Sequence, residues 1–326
     1  LAAVQLGLVL LDADPEGGMR VEATPAATSA PPPGSALMAD AIRDTFEATV
    51  GVVRSGLDAL RRPAALARGM GAELGGARSL ASLSRLAPRM PFSGIEVGAR
   101  RRIAAVRLPL AAAKEVKDAF GTTVNDVVLA TVAEAIHGFL AHRSDPGHGV
   151  TCRVLVPVSR RGEAEAAAMG NGLAGMFVDL PVGPLAPGVR LRTIARGVGD
   201  LKVRRQASAT DRLMSLASLA PQPLRSLGLR VAVRQQRLVN MVVSNVPGVQ
   251  MPLYAGGARL LEAYPLLPLA PNLGLTICVL SYAGTLHFGV VADIGAFPDL
   301  EILTDGLASG MARLTAAARA RARLAG

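Results

Sequence analysis

The sequence predicts an α/β protein in which a mixed β-sheet packs against helices. Three observations carry this expectation. Residues 122–140 (TTVNDVVLATVAEAIHGFL) place apolar side chains at three- and four-residue spacing around most of a helical circumference, as in a largely buried helix. The last third of the chain holds four stretches that read as strands, at 238–246, 258–263, 274–282 and 285–293. Helical and strand patterns then alternate unevenly, which favours a mixed sheet over a regular series of βαβ units.

In chain order, residues 1–12 read as the end of an element belonging to an upstream unit. A linker rich in Pro, Gly, Ala and Thr follows, with PPPG at 31–34. Ser35 can cap a helix whose apolar stripe is Ile42, Phe46, Val50, Val53, Leu57 and Leu60, and Pro63 ends or kinks it. A weaker helical stretch runs to Leu86. PFSG at 91–94 opens a second unit, with a strand at 101–110 and a short helix at 111–120 that Gly121 closes. The central helix starts at Thr123, a good N-cap residue, with Asp126 three residues on in a variant of the capping box. Strands are expected at 150–158 and 172–182, and mostly helix at 188–237. Ala283-Gly284 suits a tight hairpin turn between the last two strands, and Pro298 opens a C-terminal helix to about Arg321. The expected division is 1–12 as the end of an upstream domain, 13–90 as linker and helical crossover, and 91–326 as a C-terminal domain.

Half of the residues are hydrophobic, too many for a disordered chain. No apolar run approaches the roughly 20 residues of a membrane span, and the opening lacks the basic region and cleavage site of a signal peptide. Cys152 and Cys278 fall in predicted strands and read as small buried hydrophobes in a reducing compartment. The net charge is +10, and residues 185–240 hold eleven basic and two acidic residues, a surplus of +9. Such a segment suits anionic partners or a plain solvated face. Aromatics make up only 3% of the chain and Trp is absent, which argues against base stacking on nucleic acid. No GxSxG elbow and no Cys/His cluster with metal spacing occurs.

NDVVLA (125–130), VLVPVSRR (154–161), GNGLAGMFVDLPVG (170–183), RL-x-x-I (190–194), VVSNVPG (242–248), PLYAGGARL (252–260) and LSYAGTLHFGVVAD (280–293) with PDL (298–300) come in a familiar order. Together they resemble the bacterial wax ester synthase/acyl-CoA:diacylglycerol acyltransferase family. The resemblance implies a coenzyme A-dependent, chloramphenicol acetyltransferase-like fold. It also implies transfer of a fatty acyl group from acyl-CoA to diacylglycerol or a long-chain alcohol, with acyl-CoA as substrate and no cofactor. The family's catalytic motif, HHxxxDG, does not occur here, and none of His137, His142, His148 and His287 stands in its pattern. The chain is therefore expected to be the C-terminal portion of such an enzyme, inactive alone, with an N-terminal catalytic domain as partner. A cytoplasmic location is expected, peripheral on the inner membrane or on lipid droplets.

Two constellations are the candidate site. Asn125 and Asp126 open the buried helix, where polar groups need partners; they read either as a self-satisfied cap or as the edge of a reaction chamber. Ser244, Asn245, Pro247 and Gly248 end a β-branched run in a turn, and read as turn chemistry or as a channel lining. Similarity to the family's motifs favours the channel in both cases, with Asp126 as an organiser of structure. His287 is the one histidine to test as a base, although a solvent-facing strand position is its plainer reading. The competing function is a non-catalytic protein that binds lipid surfaces or partners and retains the fold without the catalytic histidine. A condensation domain for another acceptor matches the motifs less well.

Overall fold

The computed structural model describes residues 11–16, 87–143, 151–159, 173–207 and 238–325. These belong almost wholly to one compact unit, which comprises residues 1–19, 86–202 and 236–326. The expected helices at 35–60 and 64–86, most of the linker, residues 1–10, His148 and the helical stretch beyond 207 lie outside the described residues.

The elements run β1 (Arg101–Pro109), α1 (Leu110–Phe120), α2 (Val124–His142), β2 (Thr151–Ser159), β3 (Leu173–Pro181), α3 (Pro187–Ala207), β4 (Met241–Pro247), β5 (Tyr254–Ala255), β6 (Ala258–Arg259), β7 (Leu275–Tyr282), β8 (Thr285–Asp293) and α4 (Leu300–Ala325). Six strands form one sheet in the order β1-β8-β7-β4-β2-β3. β4 is parallel to both of its neighbours and the other pairings are antiparallel, so the sheet is mixed, as expected. Asp12 exchanges two 2.8 Å backbone hydrogen bonds with Tyr254 of the small β5–β6 ribbon. The strand expected over 258–263 is only the two-residue β6. Residues 260–270 instead run without regular structure, and Thr276 Oγ1 donates to the Leu267 carbonyl at 2.7 Å.

Strand alternation separates the two faces of the sheet. Met241, Val243, Ile277, Val279, Phe288 and Val290 point into the main core with the helices, whereas Val242, Leu155 and Phe177 join a smaller cluster on the other face. α2 is the centre of the main core. Its residues 126–136 are all buried, which follows from its apolar circumference. It is also long and apolar enough to cross a membrane (mean hydropathy 1.3), a match that the sequence reading did not anticipate; its burial inside the protein makes it a core helix. α2 packs closely on α4. A Cβ on Gly310 would stand 2.8 Å from the Glu134 Cβ, so glycine here sets the approach of the two helices. At the far end of α2, the Arg143 guanidinium lies 4.3 Å from the Phe139 ring centroid and hydrogen-bonds Asp299. Phe139 stacks on Phe297 at 4.9 Å.

The turns follow their residues. Gly121 takes φ +64° and ends α1 in the left-handed cap predicted for it. Ala283 and Gly284 both have positive φ (45° and 81°), the requirement of a two-residue hairpin whose twist matches its strands.

Candidate functional site

The start of α2 is built by a reciprocal cap. Thr123 Oγ1 accepts the Asp126 N–H at 3.2 Å, while Asp126 Oδ2 accepts the Thr123 N–H at 2.9 Å and its hydroxyl at 2.7 Å. Aspartate thus fills the place that Glu or Gln takes in the usual capping box. Asp126 is 4% exposed and one of its oxygens is fully engaged, which suits an organiser of the helix start.

Asn125 is half-buried at the same helix end. Asn245 belongs to the helix-facing side of β4, in step with Met241 and Val243, and its Nδ2 donates to Asn125 Oδ1 at 3.4 Å. The fold therefore joins two sequence blocks that lie 120 residues apart. The pair uses one donor of Asn245 and the acceptor of Asn125. Among the described residues, the Asn125 amide donors and the Asn245 carbonyl remain for a third group. Ser244 points to the opposite face, level with Cys278 in the β4–β7 register, so it is not part of this amide pair. Pro247 ends β4. Gly248 then passes so close to β7 that a Cβ would lie 2.4 Å from the Ser281 carbonyl oxygen; only glycine fits there.

The structure corrects the plainer reading of His287. It is 2% exposed rather than solvent-facing, because residues 260–270 cover its face of the sheet. The Tyr264 ring meets it edge-on at 5.2 Å and Tyr282 lies 6.2 Å away. Tyr264 donates to Glu262 Oε2 at 2.8 Å, and Glu262 pairs with Arg107. Burial holds the imidazole pKa below its ordinary value, against the opposite pull of Glu262. His287 sits in register with Leu280 and Arg107, on the face opposite Asn245, so the fold does not bring it to the amide pair. His137 is half-buried with Nδ1 2.9 Å from the Val182 carbonyl, and His142 is exposed in the last turn of α2. Burial raises the thiol pKa of both cysteines, that of Cys278 to about 11, which suits inert core residues.

The basic segment also needs correction. Arg190 is fully buried, not part of a solvated face. Its Nε lies 2.8 Å from Glu134 Oε1, outside hydrogen-bonding alignment, and its terminal nitrogens donate to the Pro181 and Gly183 carbonyls at 2.9 Å each. Arg313 reaches the other Glu134 oxygen at 3.0 Å. This ion cluster fixes the loop before α3 against the middle of α2. A signal was present in the sequence: Arg190, Ile194 and Val198 share a four-residue spacing, so Arg190 stands in a buried stripe, and Glu134 interrupts the apolar run of α2. Arg192, Arg196 and Lys202 are exposed, as the basic face requires.

Two family models match the chain. The wax ester synthase/diacylglycerol acyltransferase catalytic domain matches residues 1–128, and the WS/DGAT C-terminal domain matches residues 169–315. The probable diacylglycerol O-acyltransferase tgs1 of Mycobacterium tuberculosis is 34% identical over 222 residues, covering 68% of this chain and 48% of that protein. Its tgs2 counterpart is 33% identical over 319 residues, covering 95% of this chain and 66% of that protein. The chain thus spans about half the length of the first of these relatives. Among solved structures, the wax ester synthase/diacylglycerol acyltransferase of Marinobacter aquaeolei VT8 superposes with a TM-score of 0.63 at 22% identity, covering 97% of this chain and 65% of that one. The nonribosomal peptide synthetase FmoA3 reaches 0.50 at 18% identity over 75% of this chain and 25% of its own, a likeness of fold. The two models match residues 1–128 and 169–315, the mycobacterial relatives are 33–34% identical, and the amide pair joins two of the sequence blocks that carried the resemblance: this chain belongs to the wax ester synthase/diacylglycerol acyltransferase family.

Proposed function

We propose that the protein takes part in acyl-CoA-dependent O-acyl transfer to diacylglycerol or a long-chain alcohol, yielding triacylglycerol or wax ester. The observation that carries this reading is the Asn125–Asn245 pair, which unites two family blocks at the mouth of a buried helix. The reaction needs a base for the acceptor hydroxyl, donors for the tetrahedral oxyanion and a dry path for the acyl chain. The free amide donors of Asn125 and the carbonyl of Asn245 can orient a hydroxyl or a thioester carbonyl. Pro247 and Gly248 would shape the turn beside the pair, whereas Ser244 faces the other side of the sheet and leaves the candidate wall. The base is assigned to the family's HHxxxDG motif, which residues 1–326 do not contain, and acyl-CoA enters as substrate without a cofactor. The domain division of the same reading takes residues 91–326 as the C-terminal acyltransferase-like domain, 13–90 as crossover and 1–12 as the end of an upstream domain, whereas the catalytic-domain model extends to residue 128.

Radiolabelled acyl-CoA with diacylglycerol or hexadecanol tests the proposal. We expect turnover from the full-length protein and none from residues 1–326 alone, since loss of a general base costs about a hundred- to ten-thousand-fold. Robust turnover by the isolated chain would refute the assignment of the base. The alternative, a lipid-surface protein without catalysis, draws on exposed Arg192, Arg196 and Lys202. A peripheral location on the inner membrane or lipid droplets belongs to this proposal too. Flotation with phosphatidylserine vesicles should then show binding that weakens as salt rises, because exposed charges are screened over about 8 Å at physiological ionic strength. Absence of any binding would count against the lipid surface.

A further inference from the structure

We infer that Gln250 is a positioning residue for Asn245, which rests on the amide-pair reading above. Among the described residues, β2 meets β4 only at Met241 and Val242, so from Val243 onward β4 is held on its β7 side alone. Two residues after Asn245 the ladder meets Pro247, which has no N–H to give. Something other than strand pairing must fix this end.

Side chains do so. The Gly248 N–H donates to Ser281 Oγ at 3.2 Å, and the Val249 carbonyl accepts the Ala283 N–H at 3.2 Å. Gln250 then closes a bracket over the end of β7. Its Nε2 faces the Gly248 carbonyl at 3.2 Å and both the carbonyl and hydroxyl oxygens of Ser281 at 3.3 Å. Its Oε1 accepts the Gly284 N–H of the β7–β8 turn at 3.0 Å. One amide thus ties the turn after the candidate site to the end of β7 and to the hairpin. An amide is needed on both counts, because the same group must donate to oxygens and accept from an N–H. Gln250 touches neither amide of the Asn125–Asn245 pair; through the Gly248 carbonyl and the end of β7 it acts on the position of Asn245.

The test is a mutant cycle in the full-length protein, read as kcat, KM for acyl-CoA and melting temperature. Gln250→Ala should lower kcat about tenfold, within the range that sub-ångström misplacement of a catalytic group produces, with KM changed less than about twofold. In an Asn245→Ala background the same substitution should lower kcat no further. Gln250→Glu keeps the acceptor for Gly284 but sets a carboxylate against the Gly248 and Ser281 carbonyl oxygens, so it should lose kcat as well. It also replaces the alanine variant if that one fails to fold. An unchanged kcat in Gln250→Ala, or an equal fall in both backgrounds, overturns the inference. If Asn245→Ala itself leaves kcat unchanged, the amide pair is not the site, and the proposal fails at that earlier step.

Discussion

Arg190→Met should be a severe change for this core. It strands Glu134, which is 3% exposed, with Arg313 as its one remaining partner among the described residues. Breaking a buried ion pair by removing one member costs about 3–5 kcal/mol. The Pro181 and Gly183 carbonyls also lose their donors, at about 1–3 kcal/mol for each buried acceptor left unsatisfied. Taking the low end of each range gives about 5 kcal/mol, as large as the whole stability of a marginal domain. At about 2–4 °C per kcal/mol, the melting temperature should fall by about 10–20 °C. Arg190→Lys keeps a charge for Glu134, but one ammonium cannot span Glu134 and two carbonyls, so about half of the loss should remain. Adding Glu134→Gln to Arg190→Met should recover part of it, because the stranded charge is gone. Urea denaturation and thermal melts of the three variants measure this. A cost below about 1 kcal/mol for Arg190→Met would refute the argument that the cluster holds the loop before α3.

Other predictions concern the cap, the hairpin and acid stability. Asp126→Ala removes the acceptor of two Thr123 donors and should cost about 0.5–2 kcal/mol, while Asn125→Ala should lower turnover more than melting temperature; equal small effects on both quantities would leave Asn125 with a structural role only. Ala283→Gly relieves a side chain at φ 45° and should stabilise the protein by up to about 1 kcal/mol, and a lower melting temperature would contradict the strain. His287 is held neutral by burial, so its folded pKa lies below the unfolded value near 6.5. Its contribution is present above that value and is lost as pH falls through the window below it. Tyr264, Tyr282, Glu262 and Arg107 face the ring, and Glu262 alone among them favours protonation. His287→Gln should therefore flatten the fall in melting temperature below about pH 6.5, and an unchanged acid limb would remove His287 from the account.

Local chemistry was the legible part of this sequence. The cap at Thr123 and Asp126, the Gly121 stop and the Ala283-Gly284 turn each depend on a few neighbouring residues, and each formed where the residues placed it. What depended on distant packing was not legible. The neighbours of His287 in sequence show which way it points, but the cover over that face comes from Tyr264, more than twenty residues earlier. Arg190 was counted with the surface charges because its partner, Glu134, lies on another helix. The contact between Asn125 and Asn245 could be expected only through family resemblance, since no periodicity links positions so far apart.

The pairing of β1 with β8 has a consequence for the order of synthesis. Arg101 has its partner in Asp293, and the helix that covers α2 is Leu300–Ala325. At about 5–20 residues per second, roughly 10–40 s separate the emergence of Arg101 from that of its partner strand. During that interval α2, apolar around most of its circumference, has left the ribosome with neither β8 nor α4 to cover it. The unit cannot close progressively from its N-terminal end. Its yield in a cell should therefore depend on whatever shields that helix until the final turn of α4 is made.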